Sequence, residues 1–146
     1  MPEISSITTR LRDADSLPDT LPAAFDAFEA IRRLARGYED TVPALFAAFM
    51  TTADAAVDGR EAITIAPSLP PDRCGGAGVS MPQAVVPVEE IAGALAGLGA
   101  LLTDRLSGAA AIAAAAADRA ACIDAAQAAG YICQLMARGD HDSRPR

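Results

Sequence analysis

A run of helix-breaking residues divides the chain near its middle and sets what it can fold into. Residues 65–87, IAPSLPPDRCGGAGVSMPQAVVP, hold five of the ten prolines and three of the eleven glycines. Proline lacks the backbone donor that a helix needs, and glycine inside a helix costs about 1 kcal/mol relative to alanine. The rest of the chain is rich in alanine and leucine, which favour helices. We therefore predict two helical halves joined by a long loop over 64–86.

The first half contains two segments in which apolar residues repeat at helical spacing, over about 21–37 and about 42–59. Pro22 suits the first turn of the earlier helix, and Gly37 suits its end. Gly59 suits the end of the later helix. Because only a few residues connect the two segments, they predict an antiparallel helical hairpin.

The second half contains two further helical segments, over about 87–107 and about 109–138, with a break expected at Ser107 and Gly108. The former segment has an apolar seam at alternating spacings of three and four residues, formed by Val88, Ile91, Leu95, Leu98 and Leu102. Residues 139–146 are typical of a disordered tail.

Together these patterns predict an all-α fold: one domain over 1–146, built as a bundle of four main helices with a long Pro/Gly-rich crossover loop between the second and third. Ile4, Ile7 and Leu11 share helical spacing, so residues 1–17 form a loosely docked arm or a short helix. The stretches AITIA and AVVPV beside the loop leave open a small two-stranded clip.

The third predicted helix is unusual on the side opposite its leucine seam. That side carries Gly93, Ala96, Gly97 and Ala100 and almost no charge. A solvated helix face normally carries charged residues, and its glycines lower helix stability unless another backbone comes close. We therefore expect this side to be covered, either in the bundle centre or at a contact between subunits.

The core available to this chain is thin. Hydrophobic residues make up 51% of the sequence, but aromatic residues make up only 4% and tryptophan is absent. The commonest apolar residue is alanine, which buries about one methyl group. A core of this kind gains stability by burying more surface between subunits, so we predict a homo-oligomer, most simply a dimer.

Charge and hydropathy exclude several classes of partner. The net charge is −7, and a helix-turn-helix reading would place Asp54 and Asp58 on its recognition helix, so we expect no nucleic acid partner. The longest uncharged apolar run, 91–102, is too short to span a bilayer, and the N-terminus does not resemble a signal peptide. Three cysteines favour free thiols and a cytoplasmic location. All twelve basic residues are arginine, which is typical of a GC-rich bacterial genome.

The sequence also lacks the groups that most catalytic and metal sites need. Its one histidine, His141, lies in the predicted tail, so no packed histidine base or histidine-rich metal site is expected. Cys122 and Cys133 are eleven residues apart in one helix, about 16 Å, too far to share a metal. CGGAGVS lacks the lysine of a phosphate-binding loop. We predict no metal and no cofactor, and an enzyme is less favoured than a binding protein.

The tip of the loop is a second candidate site, formed by Arg73, Cys74, Gly75 and Gly76. In the structural interpretation, the loop is only a connector that lets the third helix run parallel to the second. The functional interpretation is a lid or a partner-binding arm, in which the neighbouring arginine lowers the pKa of the Cys74 thiol and suits it to redox sensing.

Asp118 lies on the apolar side of the last predicted helix. One interpretation places it in water, where the helix overhangs its neighbours. The other buries it, and a buried carboxylate must then be paired. For that case we expect an arginine partner, Arg105 or Arg119 of a second copy.

These observations favour a non-enzymatic protein that acts through self-association and protein–protein contact, with regulation as one role open to it. The alternative is a binder of a small apolar ligand, held among Phe25, Phe28, Phe46 and Phe49 with residues 65–86 as a lid. An enzyme of unknown class ranks third.

Overall fold

The structure is a computed structural model that describes residues 2–71 and 86–142, and it contains five α-helices. They are α1 Pro2–Asp13, α2 Leu17–Tyr38, α3 Phe46–Thr64, α4 Val88–Ile112 and α5 Ala116–Asp142, with a 3₁₀ turn at Pro43–Leu45 before α3. No strand occurs within these residues, which confirms the all-α class. The sequence left open a small two-stranded clip formed by AITIA and AVVPV. Its first stretch is not a strand, because residues 62–64 are helical.

The N-terminal segment is a helix that packs against the rest of the fold. Ile4, Ile7 and Leu11 of α1 are all buried. The Arg10 guanidinium donates to the Asp26 carboxylate of α2 at 2.8 Å. Arg105 of α4 donates from Nε to the Leu11 carbonyl at 3.2 Å, which satisfies an acceptor at the end of α1. The described residues therefore form five helices. The sequence predicted four main helices, with residues 1–17 as either a loosely docked arm or a short helix, and the structure has the helix.

Helix α2 begins four residues earlier than the sequence predicted. The Ser16 carbonyl accepts bonds from the Thr20 N–H at 2.9 Å and from the Thr20 hydroxyl at 2.8 Å, so the first turn forms at residue 17. Pro22 consequently lies inside the helix and not in its first turn. The predicted end at Gly37 differs by one residue, because α2 ends at Tyr38.

Helix α3 continues through Gly59 to Thr64, so the predicted end at Gly59 is wrong. A Cβ at this position would overlap the fully buried ring of Phe28, which means that the glycine allows α2 and α3 to pack closely. The two helices are antiparallel, since Arg36 pairs with Asp54 at 3.2 Å while Glu29, seven residues earlier, pairs with Arg60.

The break between α4 and α5 lies at residues 113–115, and the expected break at Ser107 and Gly108 is wrong because both residues are inside α4. Helix α5 also passes Gly139, where we expected a disordered tail, and reaches Asp142. Local glycine signals therefore misplaced both boundaries.

Helix α5 packs on both α3 and α4, whereas α2 packs on α3 and α4 from the other side and α1 lies against α2 and α4. Ser68, just after α3, bonds to Asp118 near the start of α5. The end of α3 therefore lies beside the start of α5, so these two helices are antiparallel. Gly99 of α4 contacts Ala129 and Cys133 of α5.

Candidate functional site

The four small residues of α4 that the sequence singled out lie together on its outer surface. Gly93, Gly97 and Ala100 are exposed and Ala96 is half-buried, and we call these four the α4 face. The leucine seam on the opposite side is buried against the other helices. The α4 face therefore does not lie in the bundle centre, and the described residues of the chain do not cover it.

Glycine plays different roles on the two sides of α4. A Cβ at Gly99 would lie 3.0 Å from the Ala129 carbonyl oxygen and 3.0 Å from the Cys133 nitrogen of α5. Gly99 therefore permits the helix-to-helix contact inside the chain. A Cβ at Gly97 would meet no described atom within 4 Å. The absence of a side chain at Gly97 has no explanation within the described part of one chain.

The α4 face has an uncharged surface bounded by acidic residues. Glu89 and Glu90 are exposed in the first turn of α4, and Asp104 is exposed one turn beyond Ala100. No charged residue lies between them along the helix. A partner on this surface would meet backbone and methyl groups at the centre and carboxylates at both ends.

Asp118 is buried, with 3% of its surface exposed, so the interpretation that placed it in water is wrong. Its carboxylate accepts from the Ser68 N–H at 2.9 Å and from the Ser68 hydroxyl at 2.5 Å. The expected arginine partner is replaced by this serine. Within the chain, Arg119 donates instead to the Ala113 carbonyl at 3.0 Å, and Arg105 donates to α1.

The two cysteines that the structure describes, Cys122 and Cys133, differ in burial. Cys122 is fully buried, and burial raises the pKa of its thiol, with a further rise from the nearby Asp118 charge. Cys133 is half-buried beside Gly99. The loop candidates Arg73, Cys74, Gly75 and Gly76 all lie outside the described residues.

The four phenylalanines proposed to line a ligand cavity do not share one environment. Phe28 and Phe49 are fully buried, Phe25 is half-buried, and Phe46 is 39% exposed. Two cavities among the described residues lie elsewhere, beside the turn between α1 and α2. One of these cavities has a volume of about 360 Å³, and the residues that line it include Leu17, Thr20, Arg105 and Ile112.

The structure contains an ion-pair cluster between α2 and α3 that the sequence analysis did not predict. The Glu29 carboxylate accepts from Arg32 at 3.2 Å and also from Arg60, while Arg33 lies at 4.0 Å. Partial burial acts to raise the pKa of Glu29, but the bonds and charges of Arg32 and Arg60 outweigh it, and the pKa lies below its usual value. Helical spacing places Arg32 and Arg33 beside Glu29, whereas Arg60 comes from another helix and no local pattern predicts its contact.

Comparisons with protein-family models, with curated proteins and with solved structures find no match. Within residues 2–71 and 86–142, no group of three His, Cys, Asp or Glu side chains could hold a metal ion. One helix there, α4, is long and apolar enough to cross a membrane, with a mean hydropathy of 1.2. A single helix of this kind is also found in the cores of soluble proteins, so the finding is consistent with a soluble protein.

Proposed function

We propose that the protein is a non-enzymatic, regulatory helical protein of the bacterial cytoplasm that acts through self-association, with the α4 face as the contact between two copies. The observation that supports this proposal is the open space beside Gly97. Gly59 and Gly99 are each explained by a close neighbour within the chain. Gly97, like Gly108 farther along the same helix, has no such neighbour among the described residues.

The energetic argument concerns helix stability. A glycine in the interior of a helix costs about 1 kcal/mol relative to alanine. The α4 face bears two such glycines, at positions 93 and 97, spaced one turn apart. Small residues at this spacing allow two helix backbones to approach closely, and the resulting contact offsets their cost.

A second copy is the occupant that fits this surface best. The α4 face has neither a charge for an ionic partner nor a pocket for a large side chain, whereas another flat face of the same kind is complementary to it. In a two-fold contact each copy offers the same patch to the other. The acidic residues Glu89, Glu90 and Asp104 then limit the contact to the uncharged stretch between them.

The test is the molar mass in solution by size-exclusion chromatography with light scattering. We expect a dimer for the natural sequence and a monomer for Gly97→Arg, because the arginine side chain would separate the two faces. Ala47→Arg is the matched control, since Ala47 is an exposed small residue on another helix, α3, and this variant should remain dimeric. Both variants should keep the helical circular dichroism of the natural protein. A natural sequence that stays monomeric at high concentration, or a dimeric Gly97→Arg, would refute the proposal.

A further inference from the structure

The corner between α4 and α5 is built from the strongest helix formers in the chain. Residues 109–117 read AAAIAAAAA, yet α4 ends at Ile112 and α5 begins at Ala116. Ala113 leaves the helical conformation, with φ −67° and ψ 125°. No glycine or proline lies at this corner, and alanine has the highest helix propensity of any residue. The local sequence therefore favours a continuous helix where the structure has a break.

Contacts with the rest of the fold hold the corner in place. Ser68 donates its N–H and its hydroxyl to the carboxylate of Asp118, three residues beyond the corner. Arg119 donates to the Ala113 carbonyl at 3.0 Å, which satisfies an acceptor that the break leaves free. Ala113 is buried, whereas Ala114 and Ala115 are exposed, so burial stabilises the corner through one methyl group only.

We infer that residues 113–115 are a hinge, at which α4 and α5 can join into one continuous helix and exchange α5 between two copies. Such a helix would cover 88–142 and measure about 80 Å. After exchange, α5 packs on the α3 and α4 of the other copy, so the contacts of α5 away from the corner form again between chains. Only the contacts beside the corner, chiefly Ser68 with Asp118, are lost.

The exposure of Ile112 independently favours a second copy at this corner. Ile112 is the last residue of α4, and 72% of its surface is exposed. Where two continuous helices cross at the hinge, this apolar side chain would be covered. The inference goes beyond the proposed dimer contact, because it uses no residue of the α4 face.

A disulfide between α4 and α5 can report which chain each α5 packs on. A Cβ at Gly130 would lie 3.8 Å from the Thr103 hydroxyl oxygen, so Thr103→Cys with Gly130→Cys places two thiols in reach of each other. Replacing the three native cysteines by alanine removes competing pairs. After refolding at high concentration and oxidation, a closed chain gives a monomer band on a non-reducing denaturing gel, and an exchanged pair gives a covalent dimer.

Two variants of the corner change the result in opposite directions. Ala114→Pro forbids a continuous helix, and Ala113 already has the extended conformation that a following proline requires, so the covalent dimer should disappear while the fold is kept. Asp118→Ala removes the contacts with Ser68, and the covalent dimer should increase several-fold.

The two dimers fail separately. The protein could be a dimer by light scattering and yet give only monomer bands on the gel. If this holds at every concentration, and for Asp118→Ala as well, the hinge is overturned and the α4 contact remains intact. Covalent dimers that persist in Gly97→Arg would support the hinge, because exchange of α5 uses no residue of the α4 face. Covalent dimers that survive Ala114→Pro would overturn the hinge as their cause.

Discussion

Replacing Gly59 by alanine tests whether this glycine serves packing and not helix termination. Gly59 lies inside α3, where an isolated helix would gain about 1 kcal/mol from the change to alanine. The added Cβ, however, would lie 2.8 Å or less from three atoms of the Phe28 ring, and ordinary contacts begin at 3.4 Å. The ring is fully buried and cannot swing into solvent.

The two effects can be compared in magnitude. Overfilling a packed core typically costs about 1–3 kcal/mol, and here the overlap involves three ring atoms, which places Gly59→Ala near the upper end of that range. After subtraction of the helix gain, we expect a net loss of about 2 kcal/mol. For a chain of this length such a loss lowers the melting temperature by about 4–8 °C.

The assay is urea unfolding followed by circular dichroism at 222 nm, at concentrations low enough to keep the protein monomeric. Gly97→Ala is the matched control, since its Cβ meets nothing within 4 Å, and the free energy of unfolding should rise by about 1 kcal/mol. Phe28→Leu should partly relieve the effect of Gly59→Ala in a double-mutant cycle, because it removes ring atoms from the overlap. If Gly59→Ala stabilises the protein as much as Gly97→Ala does, the packing argument is wrong.

Two further predictions concern buried polar groups. The Thr52 hydroxyl is buried and has no hydrogen-bond partner among the described residues, so Thr52→Val should raise the free energy of unfolding by about 1 kcal/mol. The control Thr20→Val loses a bond to the Ser16 carbonyl and should lower the free energy of unfolding. A Thr52→Val variant less stable than the natural protein would show that this hydroxyl has a partner. Because the pKa of Glu29 is lowered in the folded state, its contribution is present above the unfolded value and lost as the pH falls through the folded one. Glu29→Gln should therefore destabilise the protein at pH 7 but much less in strong acid, and an equal loss at both pH values, measured by urea unfolding, would contradict the ion-pair account.

The sequence was most informative where a pattern is repeated over several turns. The leucine seam of α4 predicted its buried side, and Ile4, Ile7 and Leu11 indicated that the N-terminal segment could dock. Periodicity identifies a helix and its buried face because every turn adds an independent observation. The prediction of a helix boundary rests on one or two residues, and here those residues gave wrong boundaries.

Glycine misled for a physical reason. At a helix end it relieves backbone strain, and in a helix interior it makes room for a neighbour, and the two uses look alike in one sequence. Gly59 makes room for Phe28, while the true break lies in alanines that carry no local signal. Beside that break Ser68 bonds to Asp118, fifty residues farther along the chain, and no local pattern predicts this contact.

The candidate site was predictable only in part. Helical spacing places Gly93, Ala96, Gly97 and Ala100 on one side of α4, but it does not show whether another element covers that side. The same limit applies to Asp118, whose position on the apolar side raised the question of burial. Its partner came from a turn with no distinctive pattern, and the charge-based expectation of arginine was therefore wrong.

The two proposed dimers should differ most clearly in their rates. Separating two α4 faces disturbs no helix within either chain, so such a dimer should dissociate promptly on dilution. Exchange of α5 requires that it leave both α3 and α4, with Ile132 and Met136 drawn out of the core. That opening approaches global unfolding, whose rates in small domains extend to hours or days. A dimer fraction that persists long after dilution, and that Ala114→Pro removes, would therefore mark the hinge, whereas a fraction that follows the concentration within minutes marks the α4 face.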